Sequence, residues 1–231
     1  MPTEKEVYES HADRYEQLVY REDYQGNIPK AIKKIRDFQD ADIVELGAGT
    51  GRLTRFLAKS ARNIYACDLS HHMLGLAKRI LQSEKTPYDI FAVADMHQAP
   101  FPDASADLVI AGWSFCYLAV WGEENWAQEL EIGLQEALRL LKPGGVIILL
   151  ENFGTGFKSP SPPPHLNDYF NFLKDNGFQS DWFRTDYRFE SAQEAVDLSN
   201  FFFGGELAEK VEKNQWVTLP ECTGILWLKK D

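Results

Sequence analysis

Val44-Glu45-Leu46-Gly47-Ala48-Gly49-Thr50-Gly51-Arg52 is the stretch on which the reading of the chain turns. The apolar residues before Gly47 read as the end of a buried strand, and the periodic run from Leu53 to Ala61 reads as the helix that follows. Three glycines at alternate positions therefore occupy the turn. Lacking a Cβ, Gly47 and Gly49 can adopt positive φ and let a ligand lie against the backbone. A helix starting near Gly51 adds free N–H groups and the positive end of a dipole. Such a turn cradles a nucleotide, and the spacing narrows the choice. A dinucleotide fingerprint asks for a small residue where this chain has Arg52.

Outward from the turn, short apolar runs alternate with amphipathic stretches. Strands are expected at Ile43–Leu46, Asn63–Cys67, Ile90–Val93, Asp107–Ala111 and Val146–Leu150, with helices at 51–60, 71–82 and 126–141. That alternation implies parallel strands with right-handed crossovers, hence a doubly wound α/β sheet whose ligands sit beyond the carboxyl ends of its strands. Residues 4–38 carry helical spacing with a break near Gly26-Asn27-Ile28-Pro29. Its dense tyrosines, Tyr8, Tyr15, Tyr20 and Tyr24, suit either a packing face or a helical lid. Ser159-Pro160-Ser161-Pro162-Pro163-Pro164 forces an extended loop. Helical spacing resumes at Leu166–Lys174, and late strands are expected at Trp182–Phe189 and Gly224–Leu228, separated by a helical region from Ser191 to Lys213.

The strand ends supply the chemistry. Asp68 ends the second strand about twenty residues past the first glycine, where a carboxylate can accept two hydrogen bonds from a ribose diol. Its alternative use, capping the next helix, suits Ser70 better. After the third strand, the Asp95 carboxylate and the Met96 N–H can read an adenine edge, with Leu69 and Met73 covering the ring faces. Asp95 could otherwise be a solvated turn residue. Lys142-Pro143-Gly144-Gly145 stops the helix and reverses the chain, with lysine at the helix C-terminus.

Taken in order and at these intervals, Glu45 to Gly51, Asp68-Leu69-Ser70, Ala94-Asp95-Met96, Pro100-Phe101-Pro102-Asp103 and Leu141-Lys142-Pro143-Gly144-Gly145 resemble the class I S-adenosylmethionine (SAM) methyltransferases. The resemblance covers residues 40–152 closely. It implies a Rossmann-like sheet of seven strands, mostly parallel, with an antiparallel C-terminal hairpin. It also implies one methyltransferase domain over 1–231: an N-terminal helical lid at 1–38, a SAM-binding core at 39–152, and C-terminal strands with a helical insertion at 153–231. By the same resemblance Glu45 organises the methionine amino end, Gly47, Ala48 and Gly49 pass under the cofactor, Asp68 holds ribose, and Asp95 with Met96 holds adenine. The backbone near Ala111 and Trp113 would meet the methionine portion. Tyr15, with Tyr20 second, would close over the site.

Methyl transfer from a sulfonium is an in-line displacement, so alignment and exclusion of water carry it. A general base is an optional addition, for which His11 and His165 are the candidates; His71, His72 and His97 read as local structure. Metal-dependent catechol-type relatives place carboxylates after the fourth strand, where this chain has Gly112-Trp113-Ser114, so no metal is expected. Trp113, Phe115, Tyr117, Trp121, Phe153, Phe157 and Tyr169 could line an apolar acceptor pocket or simply fill the core.

Bulk properties agree with a small-molecule acceptor, with a protein acceptor as the alternative. The chain has 231 residues, 44% of them hydrophobic, and a formal charge of −11 that disfavours a nucleic-acid partner. Cys67, Cys116 and Cys222 lack metal or redox spacing and read as reduced thiols. The opening residues lack a signal-peptide pattern, and no run approaches the ~18 apolar residues of a membrane span, so a cytoplasmic location is expected. Two other functional classes fit parts of the sequence. A nicotinamide-dependent reductase would share the fold and Asp68 but not Arg52 or the Lys-Pro-Gly-Gly turn. A catalytically silent SAM-binding or interaction protein would keep the glycine turn without an open acceptor pocket.

Overall fold

A computed structural model describes residues 2–231; Met1, the first residue of the expected domain, lies outside them. Three N-terminal helices, α1 (Glu4–Ser10), α2 (Ala12–Val19) and α3 (Asn27–Ile35), precede the first strand. Thr3 starts α1 with a capping box, its side chain accepting from Glu6 N–H while Glu6 reaches back to Thr3. Asp23 does the same service for α3, accepting from the N–H groups of Asn27 and Ile28.

The alternation then follows in order: β1 (Asp42–Leu46), α4 (Thr54–Leu57), β2 (Asn63–Asp68), α5 (His71–Ser83), β3 (Ile90–Val93), β4 (Ala106–Gly112), α6 (Tyr117–Trp121), α7 (Trp126–Leu140) and β5 (Leu141–Thr155). After the proline-rich loop come α8 (Asn167–Asp175), β6 (Gln179–Arg184), β7 (Tyr187–Arg188), α9 (Ala192–Phe202), α10 (Gly205–Lys213), β8 (Thr218–Leu219) and β9 (Glu221–Lys229). Seven strands form one sheet in the order β3-β2-β1-β4-β5-β9-β6, with β9 antiparallel to both neighbours. This is the seven-stranded, mostly parallel Rossmann-like sheet that the sequence implies. Its order reverses beside β1, which puts the crevice between the carboxyl ends of β1 and β4.

Both sheet faces are covered. Val44, Leu46 and Val109 face the layer of α7 and α8, whereas Ile43, Leu108 and Ile110 face the layer of α3 and α4. Every residue of β1 is buried, as a central parallel strand requires.

Local departures from the sequence reading have physical causes. The helix expected over 51–60 is a single α-turn, because Gly51 takes a φ of +83° and Thr54 turns its hydroxyl onto Glu45. Its dipole is correspondingly small. The strand expected at Trp182–Phe189 breaks at Thr185-Asp186, since Asp186 accepts from both Arg184 and the Glu221 N–H and so turns the chain out of the sheet. The helical region 191–213 divides at Gly204, whose φ is +93°. Lys142 does not serve the end of α7. Its ammonium bridges Asp42 and Asp107 instead, tying β5 to β1 and β4 at their amino ends. The three cysteines are free and buried. Among the described residues no helix is long and apolar enough to cross a membrane.

Candidate active site

A cavity of about 620 Å³ opens over the carboxyl ends of β1, β2 and β4. Gly47 and Gly49 form one edge, both at positive φ (+70° and +55°). Their N-terminal neighbour strand is anchored by Gly47 and Ala48, whose N–H groups donate to the Cys67 carbonyl at 2.8 and 3.0 Å. A Cβ on Gly49 would meet nothing within 4 Å, so the turn faces open space in which a ligand can approach the backbone.

Asp68 stands beside this turn. One carboxylate oxygen accepts from Gly49 N–H at 2.7 Å and the other from Ser70 N–H at 2.8 Å. Each oxygen keeps lone-pair capacity toward the cavity. Burial pushes the carboxyl above its ordinary range, against the pull of these two donors. Ser70, as expected, caps α5 through Met73 N–H. Its hydroxyl also donates to the Tyr8 carbonyl at 2.7 Å and so fastens α1 to the site. Across the cavity lie Ala94, Asp95 and Met96, with Leu69 and Met73 also in the wall. Leu69 is 64% exposed and therefore free to cover a bound group, whereas Met73 is buried.

Asp95 is not a bare turn residue. Its Oδ1 accepts from His97 N–H and lies 2.8 Å from His97 Nδ1, while His97 Nε2 is 3.1 Å from Glu129 Oε2 on α7. His97 thus positions the acid that the sequence singled out. Trp113 occupies the left-handed region with a φ of +52°, held by its N–H to the Leu150 carbonyl at 2.7 Å. The Arg52 guanidinium lies 3.6 Å from its ring centroid and pairs with Glu22. The arginine that breaks the dinucleotide fingerprint is therefore a support behind the cavity wall.

Tyr15 lines the cavity and Tyr20, 67% exposed, does not. Tyr8 was not singled out as a site residue, yet its hydroxyl lies 2.8 Å from that of Tyr117 and its ring packs edge-on against Tyr15. Its seven-residue spacing from Tyr15 on the N-terminal helices was the available signal. The expected aromatic pocket divides. Trp113, Tyr117 and Trp121 reach the cavity, whereas Phe115 and Tyr169 are core residues and Phe157 is out on the surface. Phe153 packs against Gly224 on β9.

Glu45 lies under the turn, 2% exposed and outside the cavity lining, its carboxylate accepting from Thr54 Oγ1 at 2.5 Å. Burial pushes its carboxyl up to about 8. Neither candidate base reaches the cavity: His11 is exposed at the junction of α1 and α2 with its ring against Phe201, and His165 is exposed before α8. Among the described residues no cluster of three metal-ligating side chains occurs.

Residues 44–149 match a family model described as a methyltransferase domain. The fold aligns with a SAM-dependent methyltransferase from Aquifex aeolicus over 89% of this chain and 93% of that one, with a TM-score of 0.55 at 16% identity. Over residues 44–149 the chain carries a methyltransferase domain, on the fold of SAM-dependent methyltransferases. Among sequence relatives of the chain, a demethylmenaquinone methyltransferase of Clavibacter sepedonicus is 33% identical over 57% of this chain and 47% of its own length. A malonyl-[acyl-carrier protein] O-methyltransferase of Halorhodospira halophila is 29% identical over 61% of this chain and 45% of its own. The chain spans about half the length of the curated relatives it matches. The same fold also carries a [4+2]-cyclase, SpnF, at a TM-score of 0.55, so fold alone does not assign the reaction. SAM is the family's cofactor.

Proposed function

We propose that this methyltransferase moves a methyl group from SAM to a small-molecule acceptor held in the aromatic end of the same cavity. The observation that carries the reading is convergence. The open glycine turn, the Asp68 carboxylate and the Asp95-Met96 pair, separate in sequence, all face one cavity of about 620 Å³. That volume lies within the range of small-molecule and cofactor sites.

The residues fit the cofactor. Gly47, Ala48 and Gly49 would pass beneath it, with Trp113 as part of the floor. Asp68 has acceptor capacity left for a ribose diol beyond its two backbone donors. Asp95, steadied by His97, would accept from the adenine amine while Met96 N–H donates to the ring, and Leu69 and Met73 would enclose the faces. Glu45 would act from below the turn, holding it through Thr54 and ionising as the ammonium of the methionine end approaches. Bound in this way, SAM supplies an electrophilic methyl on a sulfonium leaving group. The chain's contribution is alignment, to which proximity and orientation can add about 7–11 kcal/mol. Tyr8, Tyr15 and Tyr117 would shut water out above the reacting atoms. His11 and His165 lie outside the cavity and His97 is engaged with Asp95 and Glu129, so no histidine is assigned as a base.

The test is incubation with methyl-labelled SAM and a panel of small amines, alcohols, phenols and carboxylic acids. Label transferred to an acceptor by the wild type, and not by Asp68→Ala, supports the proposal. Label that stays on SAM through the whole panel, in protein that binds SAM, favours the catalytically silent reading.

A further inference from the structure

We propose that the acceptor is an organic amine whose nitrogen seats against Trp121, a place that Lys5 of this chain fills in the structure. The inference rests on the methyl-transfer reading and narrows it to a substrate class. Its first support is the charge of the cavity wall. Among the described lining residues, Lys5 is the one lysine or arginine, and of the carboxylates Glu9 and Glu129 remain beyond Asp68 and Asp95, which are assigned to the cofactor. An anionic acceptor would need Lys5 itself, as carboxylate and phosphate sites use arginine or lysine, and Lys5 is engaged on the Trp121 ring.

Arg52 is the nearest alternative, and it is spent. Its guanidinium is held behind Trp113, paired with Glu22, and Glu221 adds a second buried carboxylate to the same surroundings. An acid entering the cavity would meet that arginine already neutralised.

The second support is the wall itself. Tyr8, Tyr117 and Trp121 pack together, with the Tyr117 and Trp121 rings stacked at 4.5 Å and Tyr8 edge-on to both. Aromatic faces attract ammonium groups through the ring quadrupole. The chain demonstrates the preference, because the Lys5 ammonium lies 5.1 Å from the Trp121 ring centroid. Lys5 is an exposed side chain on the first turn of α1, so an incoming amine can displace it at little cost.

In the reaction, the amine first gives a proton to water at the cavity mouth. Its lone pair then forms the N–C bond to the methyl carbon as the C–S bond breaks with its electron pair to sulfur. The product leaves as an N-methylammonium.

The experiment is calorimetric titration of protein saturated with S-adenosylhomocysteine (SAH), using benzylamine, benzyl alcohol and benzoate as probes of one shape and three charges. Benzylamine is expected to bind about tenfold tighter than benzyl alcohol, with no detectable heat from benzoate. Lys5→Met removes the internal competitor and should tighten benzylamine by about threefold, while Trp121→Leu should weaken it by about tenfold. Should Trp121→Leu not fold, the Lys5→Met result decides alone. Benzoate as the tightest probe, three probes of equal affinity, or a Lys5→Met protein that binds benzylamine no tighter than wild type would overturn the amine assignment. Absence of SAH binding at the outset would overturn the methyl-transfer reading instead, which keeps the two failures distinct.

Discussion

Ser114 stands where a side chain on Gly47 would have to be. An ideal Cβ on Gly47 would lie 2.4 Å from Ser114 Cβ and 2.5 Å from its Oγ, and that hydroxyl donates to the Leu46 carbonyl at 3.0 Å. The contact locks the turn after β1 to the turn after β4. Two walls of the cavity therefore move as one.

Gly47→Ala should accordingly damage both fold and site. The clash adds to the cost of a left-handed φ, about 1–2 kcal/mol for a residue with a Cβ. Gly49→Ala bears the same backbone cost without a clash, but it puts a methyl group into the open cradle. Thermal unfolding should place Gly47→Ala well below Gly49→Ala, whereas SAH titration should find both weakened. Adding Ser114→Gly to Gly47→Ala should recover part of the lost stability. Equal melting temperatures for the two alanine variants would contradict the contact.

Arg52→Ala should be strongly destabilising. It strands the Glu22 carboxylate, whose side chain is almost wholly buried, and removes the cation nearest Glu221. Breaking a buried pair from one side costs about 3–5 kcal/mol. Arg52→Lys should restore the charge but not the flat stacking on Trp113, and should recover only part of that loss in urea titrations.

Glu151 makes stability depend on pH in the direction opposite to a paired surface carboxylate. It accepts from Tyr169 at 2.6 Å and from Cys116 N–H at 3.2 Å, yet burial raises its carboxyl from 4.5 to about 7. The folded state thus binds a proton that the unfolded state releases above pH 4.5. Stability from this site is full below that value, falls as pH rises toward 7, and reaches its lower level above it. Glu151→Gln keeps both hydrogen-bond acceptor contacts without the charge. It should match the wild type near pH 5 and exceed its melting temperature at pH 8; equal pH profiles would remove Glu151 as the source.

Glu45 predicts proton release on cofactor binding. Its carboxyl, raised to about 8 by burial, carries a proton at pH 7, and the ammonium of an approaching methionine moiety favours the ionised form. Binding should therefore release protons at pH 7, and affinity should rise as pH climbs toward 8. Calorimetry in two buffers of different ionisation enthalpy measures the release, which Glu45→Gln should abolish. A wild-type heat independent of buffer would contradict it.

What the sequence disclosed was what local pattern encodes. Buried parallel strands such as Ile43–Leu46 are continuous apolar runs, and the residues that line the cavity at the strand ends are glycines and acids, so Gly47, Gly49, Asp68 and Asp95 could be picked out from the sequence as facing one crevice. Partners distant in the chain were another matter. Glu22 with Arg52, His97 with Glu129, and Tyr8 with Tyr117 are joined by the packing of separate elements, and no periodicity records such pairings. For the same reason Lys142, which reads as a helix end, is an inter-strand tie. Phe115 and Tyr169 could not be told from cavity residues, because a buried aromatic and a pocket aromatic have the same sequence signature.

The most direct measurement is calorimetric titration of the purified protein with SAM, SAH and reduced nicotinamide cofactors. Convergence of Gly47–Gly49, Asp68 and Asp95 on one cavity predicts one-to-one binding of SAM and SAH, no binding of the nicotinamides, and at least about tenfold weaker SAH binding in Asp68→Ala. Binding of a nicotinamide cofactor alone, or unchanged SAH affinity in Asp68→Ala, would contradict it.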